Sequence, residues 1–120
     1  MKHLIELNEN INKFSNQELL NNFNKTPSPY GEYGYYPVFA SRILEFKKLL
    51  FEELIADRNV KIEFRTFKPS WLIAISVLDH CEDENIIKEM IKHIKNNWRK
   101  DDFDDFKHYV SKEDRFKKYF

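Results

Sequence analysis

Asp79-His80-Cys81-Glu82 sets four side chains in a row that can hold a proton or a metal ion, and a cysteine beside a histidine suggests a nucleophile or a ligand pair. The spacing argues against both. Adjacent residues on a helix point in different directions, so the four cannot converge on one atom. A structural zinc site would also need a second pair of the form C-x-x-C or H-x-x-x-H, which the sequence lacks. His3, His93 and His108 are scattered along the chain. Cys81 is the sole cysteine, which excludes an intrachain disulfide and reads as a small buried hydrophobe in a reducing compartment.

Asp101-Asp102-x-Asp104-Asp105 has the carboxylate density of a calcium loop without its turn glycine or its distal bidentate glutamate, and helix capping accounts for it better. Two glycines in the whole chain leave no phosphate-binding loop, and neither G-x-S-x-G nor H-E-x-x-H occurs. The chain is therefore expected to be no enzyme, with no cofactor, no metal and no small-molecule substrate.

The elements that must carry these residues surround Ser70-Trp71-Leu72-Ile73-Ala74-Ile75-Ser76-Val77-Leu78, an uncharged and almost wholly apolar nonapeptide. Ser70 can cap a short buried helix there that ends near His80. Leu4, Leu7, Ile11 and Phe14 keep helical spacing, and Ser15-Asn16-Gln17-Glu18 has the form of a capping box opening a helix over about 16 to 24. The segment 26 to 37 holds three of the four prolines and both glycines and reads as a loop. From Val38 to Asp57 no breaker occurs, with Ile43, Phe46, Leu50 and Leu54 on one face and Arg42, Glu45, Lys48 and Glu52 opposite.

Val60, Ile62 and Phe64 alternate like a strand, while Val60, Phe64 and Phe67 also fit a helix. Asp83 or Glu82 can start a helix with Ile86, Ile87, Met90, Ile91, Ile94 and Trp98 inward. Asp101-Asp102 can cap another around Phe103, Phe106 and Val110. The pattern predicts a mostly α fold, a bundle of about five to seven helices in a single domain spanning 1–120. The alternative is α+β with a hairpin at residues 60–78. An isolated two-stranded ribbon is marginal unless helices cover it, which favours the helical reading.

Twenty basic and twenty acidic residues cancel, which removes the electrostatic argument for nucleic-acid binding. The charges are segregated, however. Asp79, Glu82, Asp83 and Glu84 form one acidic cluster and Asp101, Asp102, Asp104 and Asp105 another, while Lys88, Lys92, Lys95, Arg99 and Lys100 lie between them against Glu89. That basic stretch, with Trp98, is the feature a nucleic-acid-associated regulator would use, but its acidic neighbours oppose a phosphate backbone. No stretch approaches the roughly 18 apolar residues of a membrane span, and the first residues lack the apolar run of a signal peptide. A cytoplasmic protein with no membrane contact is expected.

The segment 26 to 37 also carries Tyr30, Tyr33, Tyr35 and Tyr36, and tyrosines in a loop either contact a partner or fold back on the core. An aromatic-rich helical chain with two acidic clusters and no chemistry resembles the small immunity proteins that bacteria make alongside nuclease toxins, in colicin-type and contact-dependent growth-inhibition systems. The local similarity is to the DNase-colicin immunity family, in SNQELL at Ser15 to Leu20 and in Tyr35-Tyr36-Pro37, where that family uses two tyrosines before a proline against its toxin. Its acidic specificity helix is replaced here by TPSPYGEYG, and residues 38 to 120 find no counterpart, so the family's fold is not implied. The resemblance implies Tyr35 and Tyr36 as contacts. The expected function is a non-catalytic protein-binding domain, an immunity protein that neutralises a basic toxin domain, a nuclease, through Tyr33, Tyr35, Tyr36 and the two acidic clusters.

Overall fold

The uncharged stretch is helical. A computed structural model describes residues 3–25, 34–56, 60–62, 65–67 and 69–120, and places this stretch within α5 (Pro69–His80). The helix starts with Pro69 rather than being capped by Ser70. Proline suits a first helical turn because the N–H it lacks would have no partner there. Ile73 to Leu78 are all buried, as a helix apolar around its circumference must be. The one hydroxyl among them, Ser76, donates to the carbonyl of Leu72 at 2.7 Å.

Six further α-helices among the described residues surround α5: α1 (Glu9–Asn12), α2 (Asn16–Lys25), α3 (Tyr35–Ser41), α4 (Ile43–Ile55), α6 (Glu84–Asn97) and α7 (Lys100–Val110). A 3-10 turn (Asp114–Tyr119) follows. The fold is mostly α, as the pattern predicts. Among the described residues extended pairing is confined to β1 (Val60–Ile62) and β2 (Arg65–Phe67), antiparallel with Lys61 opposite Thr66. A hairpin reaching residue 78 is thereby replaced by a short ribbon followed by a helix.

The capping box forms: the Glu18 amide donates to Ser15 Oγ at 3.2 Å and the Ser15 amide to Glu18 Oε1 at 3.0 Å. These bonds hold the Glu18 carboxyl below its ordinary value. Asp83 caps α6, its Oδ1 accepting from the amides of Asn85 and Ile86, and Ile86, Ile87, Met90, Ile91 and Ile94 turn inward. α7 begins at Lys100, ahead of the aspartates expected to cap it. Asp101 and Asp102 therefore stand in its first turn, where negative charge favours the helix dipole.

Two expectations are corrected near the tyrosines. Residues 35 to 37 are helical rather than loop, and the break falls later, at Arg42 (φ −117°, ψ 45°) between α3 and α4. The reason is tertiary. Arg42 donates to the carbonyls of Phe14 (2.8 Å) and Asn12 (2.7 Å) and to Asn16 Oδ1 (3.0 Å), fastening α3 and α4 to the start of the chain. Gly34 permits the same closeness on the other side, since a Cβ there would meet Ile11 Cδ1 at 2.9 Å.

α5 packs against α3 and α4, and α4 against α6. Aromatic rings fill two parts of the core. Phe39 meets Phe46 at 4.5 Å and Phe23 at 5.1 Å, and Phe106 takes Trp71 and Trp98 edge-on at 5.4 and 5.3 Å. At the carboxyl end of α5 the Asp79 side chain is fully covered and bonded to Arg115 Nη2 at 2.6 Å.

Replacing Arg115 with Met would leave a buried carboxylate without its cation. Urea unfolding should show a loss of about 3–5 kcal/mol. Lys118→Met, which breaks the exposed pair with Glu84, should leave the midpoint nearly unchanged. Equal effects from the two would show that the Asp79–Arg115 pair contributes nothing special.

Candidate functional site

The row at 79–82 is structural in three of its four members. Asp79 Oδ1 accepts from Arg115 and Oδ2 accepts the Ile5 amide at 2.7 Å. His80 Nε2 lies 2.6 Å from the Ile5 carbonyl, so this nitrogen carries the hydrogen, and the ring packs against His3 with centroids 4.4 Å apart. Cys81 is buried, and its thiol reaches the Asp83 carbonyl at 3.5 Å rather than an imidazole. Burial pushes the thiol upward from its ordinary value, although the Asp83 bond opposes this. A protonated thiol is a poor nucleophile. Asp79, expected at a partner surface, is thus corrected to a core position: a covered, paired carboxylate cannot be presented to another molecule.

The tyrosines divide similarly. Tyr36 is 0% and Tyr35 8% exposed. Tyr35 packs edge-on to Phe23 at 5.7 Å, and Tyr36 lies 6.1 Å from the same ring. Both belong to the protein's own core, so the contact role that the resemblance implies for them is corrected as well. Tyr33, with the rest of segment 26–33, lies outside the described residues.

The acidic clusters do not form one surface. They stand at opposite ends of α6, whose 14 residues span about 21 Å at 1.5 Å each. In the second cluster Asp101 lies 3.3 Å from Arg99 and Asp104 2.7 Å from Lys100, while Asp105 is exposed and Asp102 half-buried. The bond to Asp104 raises the Lys100 ammonium above its ordinary value. Cations therefore offset much of this cluster's field.

The first cluster differs. Glu82, Asp83 and Glu84 are exposed and open, with Glu45 and Leu44, onto a concavity of about 710 Å³. Leu44 is 84% exposed, the most exposed of the large hydrophobic side chains among the described residues. Of the nearby cations, Arg42 is turned toward the α1–α2 segment, while Lys118 donates to Glu84 and offsets that one carboxylate of the rim, which lowers the Glu84 carboxyl and raises the Lys118 ammonium. Leu44 and Glu45 were not singled out from the sequence as site residues. The signal was present, since Leu44 stands outside the inward face of Ile43, Phe46, Leu50 and Leu54.

In the basic stretch Lys88, Lys92, Lys95 and Lys100 are exposed, but Trp98 is half-buried and donates its indole N–H to the Leu54 carbonyl at 2.8 Å. Its ring serves the junction of α4, α6 and α7. Among the described residues no three His, Cys, Asp or Glu side chains are grouped to hold a metal ion, and no helix is long and apolar enough to cross a membrane. No protein-family model, no curated protein and no solved structure matches the chain.

The state of Cys81 is directly measurable. Alkylation of the native protein at neutral pH should run at least about tenfold slower than that of an exposed cysteine, and should speed up only as pH rises past the ordinary thiol range. Fast labelling at pH 7 would mean an accessible thiolate and reopen a chemical role for the row.

Proposed function

We propose that the chain is a non-catalytic protein-binding domain, an immunity protein acting in the cytoplasm that binds and neutralises a basic bacterial toxin domain, a nuclease. The observation that carries this reading is Leu44, left in solvent among the carboxylates of Glu45, Glu82, Asp83 and Glu84. An apolar anchor within a charged rim is how protein interfaces concentrate affinity at the centre and specificity at the edge. The sign of the rim selects a cationic partner. Nucleases carry such a surface because they must hold phosphate, so a protein that presents carboxylates and a leucine knob can steer onto it and cover it. The helical frame is suited to this role because α4 and the start of α6, which carry these residues, are packed against each other and need not reorder on binding.

The test is co-expression of the tagged chain with the product of the adjacent upstream gene, followed by co-purification and a survival assay. The wild type should elute as a stoichiometric complex and protect the cells. Leu44→Asp should weaken the complex at least about tenfold. Glu45→Lys with Glu82→Lys should weaken it and flatten its salt dependence, while sparing Asp83, which caps α6, and Glu84, which pairs with Lys118. A chain that elutes alone and leaves the cells unprotected removes the reading. A complex indifferent to all three substitutions moves the interface to another face.

A further inference from the structure

We propose that the cleft between the end of α6, the start of α7 and the C-terminal 3-10 turn binds a small organic anion carrying a flat ring, of the nucleoside monophosphate class. The cleft encloses about 430 Å³, within the range of small-molecule pockets, about 300–1,000 Å³. Trp98, Phe103 and Phe120 supply aromatic walls, and Lys95 and Lys107 stand at its edge.

The walls are held from behind. Trp98 is fixed by its indole bond to the Leu54 carbonyl at 2.8 Å and by the edge-on contact with Phe106, and Phe120 meets Phe103 edge-on at 6.2 Å. A flat ring entering the cleft would therefore meet surfaces already in place, as sequence-tolerant base stacking requires. Lys100 is taken by Asp104 at 2.7 Å. Lys95 and Lys107 make no ion pair among the described residues, which leaves two ammonium groups for an anionic group of the ligand.

The same geometry limits the ligand to one nucleotide. Asp104 lines the cleft, paired with Lys100, and the exposed Asp105 beside it on α7 adds negative charge against the further phosphates that a strand would bring. A phosphate without a ring would leave the aromatic walls in water, and a ring without a phosphate would leave the lysines unused. The cleft shares no lining residue with the Leu44 concavity, although Tyr119, which lines the cleft, bonds Glu84 of that concavity.

Isothermal titration calorimetry with adenosine monophosphate, ribose 5-phosphate and inorganic phosphate tests it on the full chain. Adenosine monophosphate should bind with a Kd below about 1 mM, and the two ring-poor anions at least about tenfold more weakly. The Lys95→Gln, Lys107→Gln double variant changes only exposed side chains, and circular dichroism can confirm that it stays folded. It should lose about tenfold in affinity for the nucleotide. Absence of binding by adenosine monophosphate up to about 10 mM would overturn the proposal. So would equal affinity for ribose 5-phosphate, or an unchanged affinity in the double variant. Tighter binding of a short single-stranded oligonucleotide than of the mononucleotide would overturn the restriction to one nucleotide.

Discussion

Asp79 is a carboxylate with no exposed side-chain surface, and a charge in that position persists only if its oxygens are paired. Arg115 supplies one partner and the Ile5 amide the other, while His80 next door holds the Ile5 carbonyl. The carboxyl end of the central helix thereby fastens a segment that precedes the first helix and a segment that follows the last. Residues 3–8 form no regular element and are only partly buried, and this junction adds to the packing of Ile5 and Leu7 on the core in holding them. The residues that most resemble a reactive group in the sequence are thus committed to joining distant parts of the chain.

With those residues accounted for, the remaining organisation follows α6. Its amino end bears exposed carboxylates, its solvent face bears lysines, and beyond its carboxyl end lies a cleft of aromatic rings edged by ammonium groups. Helix physics favours this polarity, because acids near the amino end and bases near the carboxyl end both complement the dipole. The same arrangement gives the molecule two faces of opposite character. The acidic face, with Leu44, is the one suited to a protein partner under the proposed reading, and the aromatic cleft is suited to something much smaller.

Much of the fold was legible because local rules and tertiary packing agree there. The stripe of Ile86, Ile87, Met90, Ile91 and Ile94, the Asp83 cap, the Ser15–Glu18 box and the uncharged run within α5 all follow from periodicity and capping chemistry. What was not legible depends on distant partners. Arg42 breaks a helix that no local signal interrupts, because its guanidinium finds three acceptors near residues 12 to 16. Tyr35, Tyr36 and Pro37 looked like loop from composition, yet proline is allowed in a first turn and the phenyl group of Phe23 is there to cover both tyrosines. Asp79 looked like one of four surface acids, since nothing near it in sequence announces Arg115. At the candidate site, Glu82, Asp83 and Glu84 could be read from the chain, whereas Leu44 and Glu45 needed the packing of α4 beside α6 to become their neighbours.

The claim on which the rest depends is that the Asp79–His80 pair is a structural clasp, and the exchange rate of the Ile5 amide proton tests it most directly. That amide lies outside any helix, so its protection can come only from the Asp79 carboxylate and the cover around it. The account predicts exchange slowed by at least about a hundredfold relative to an unstructured chain, and lost together with Asp79→Ala. Exchange of Ile5 at the unstructured rate in the native protein would contradict it, and would return Asp79, His80 and Cys81 to the set of residues free for chemistry or for a partner.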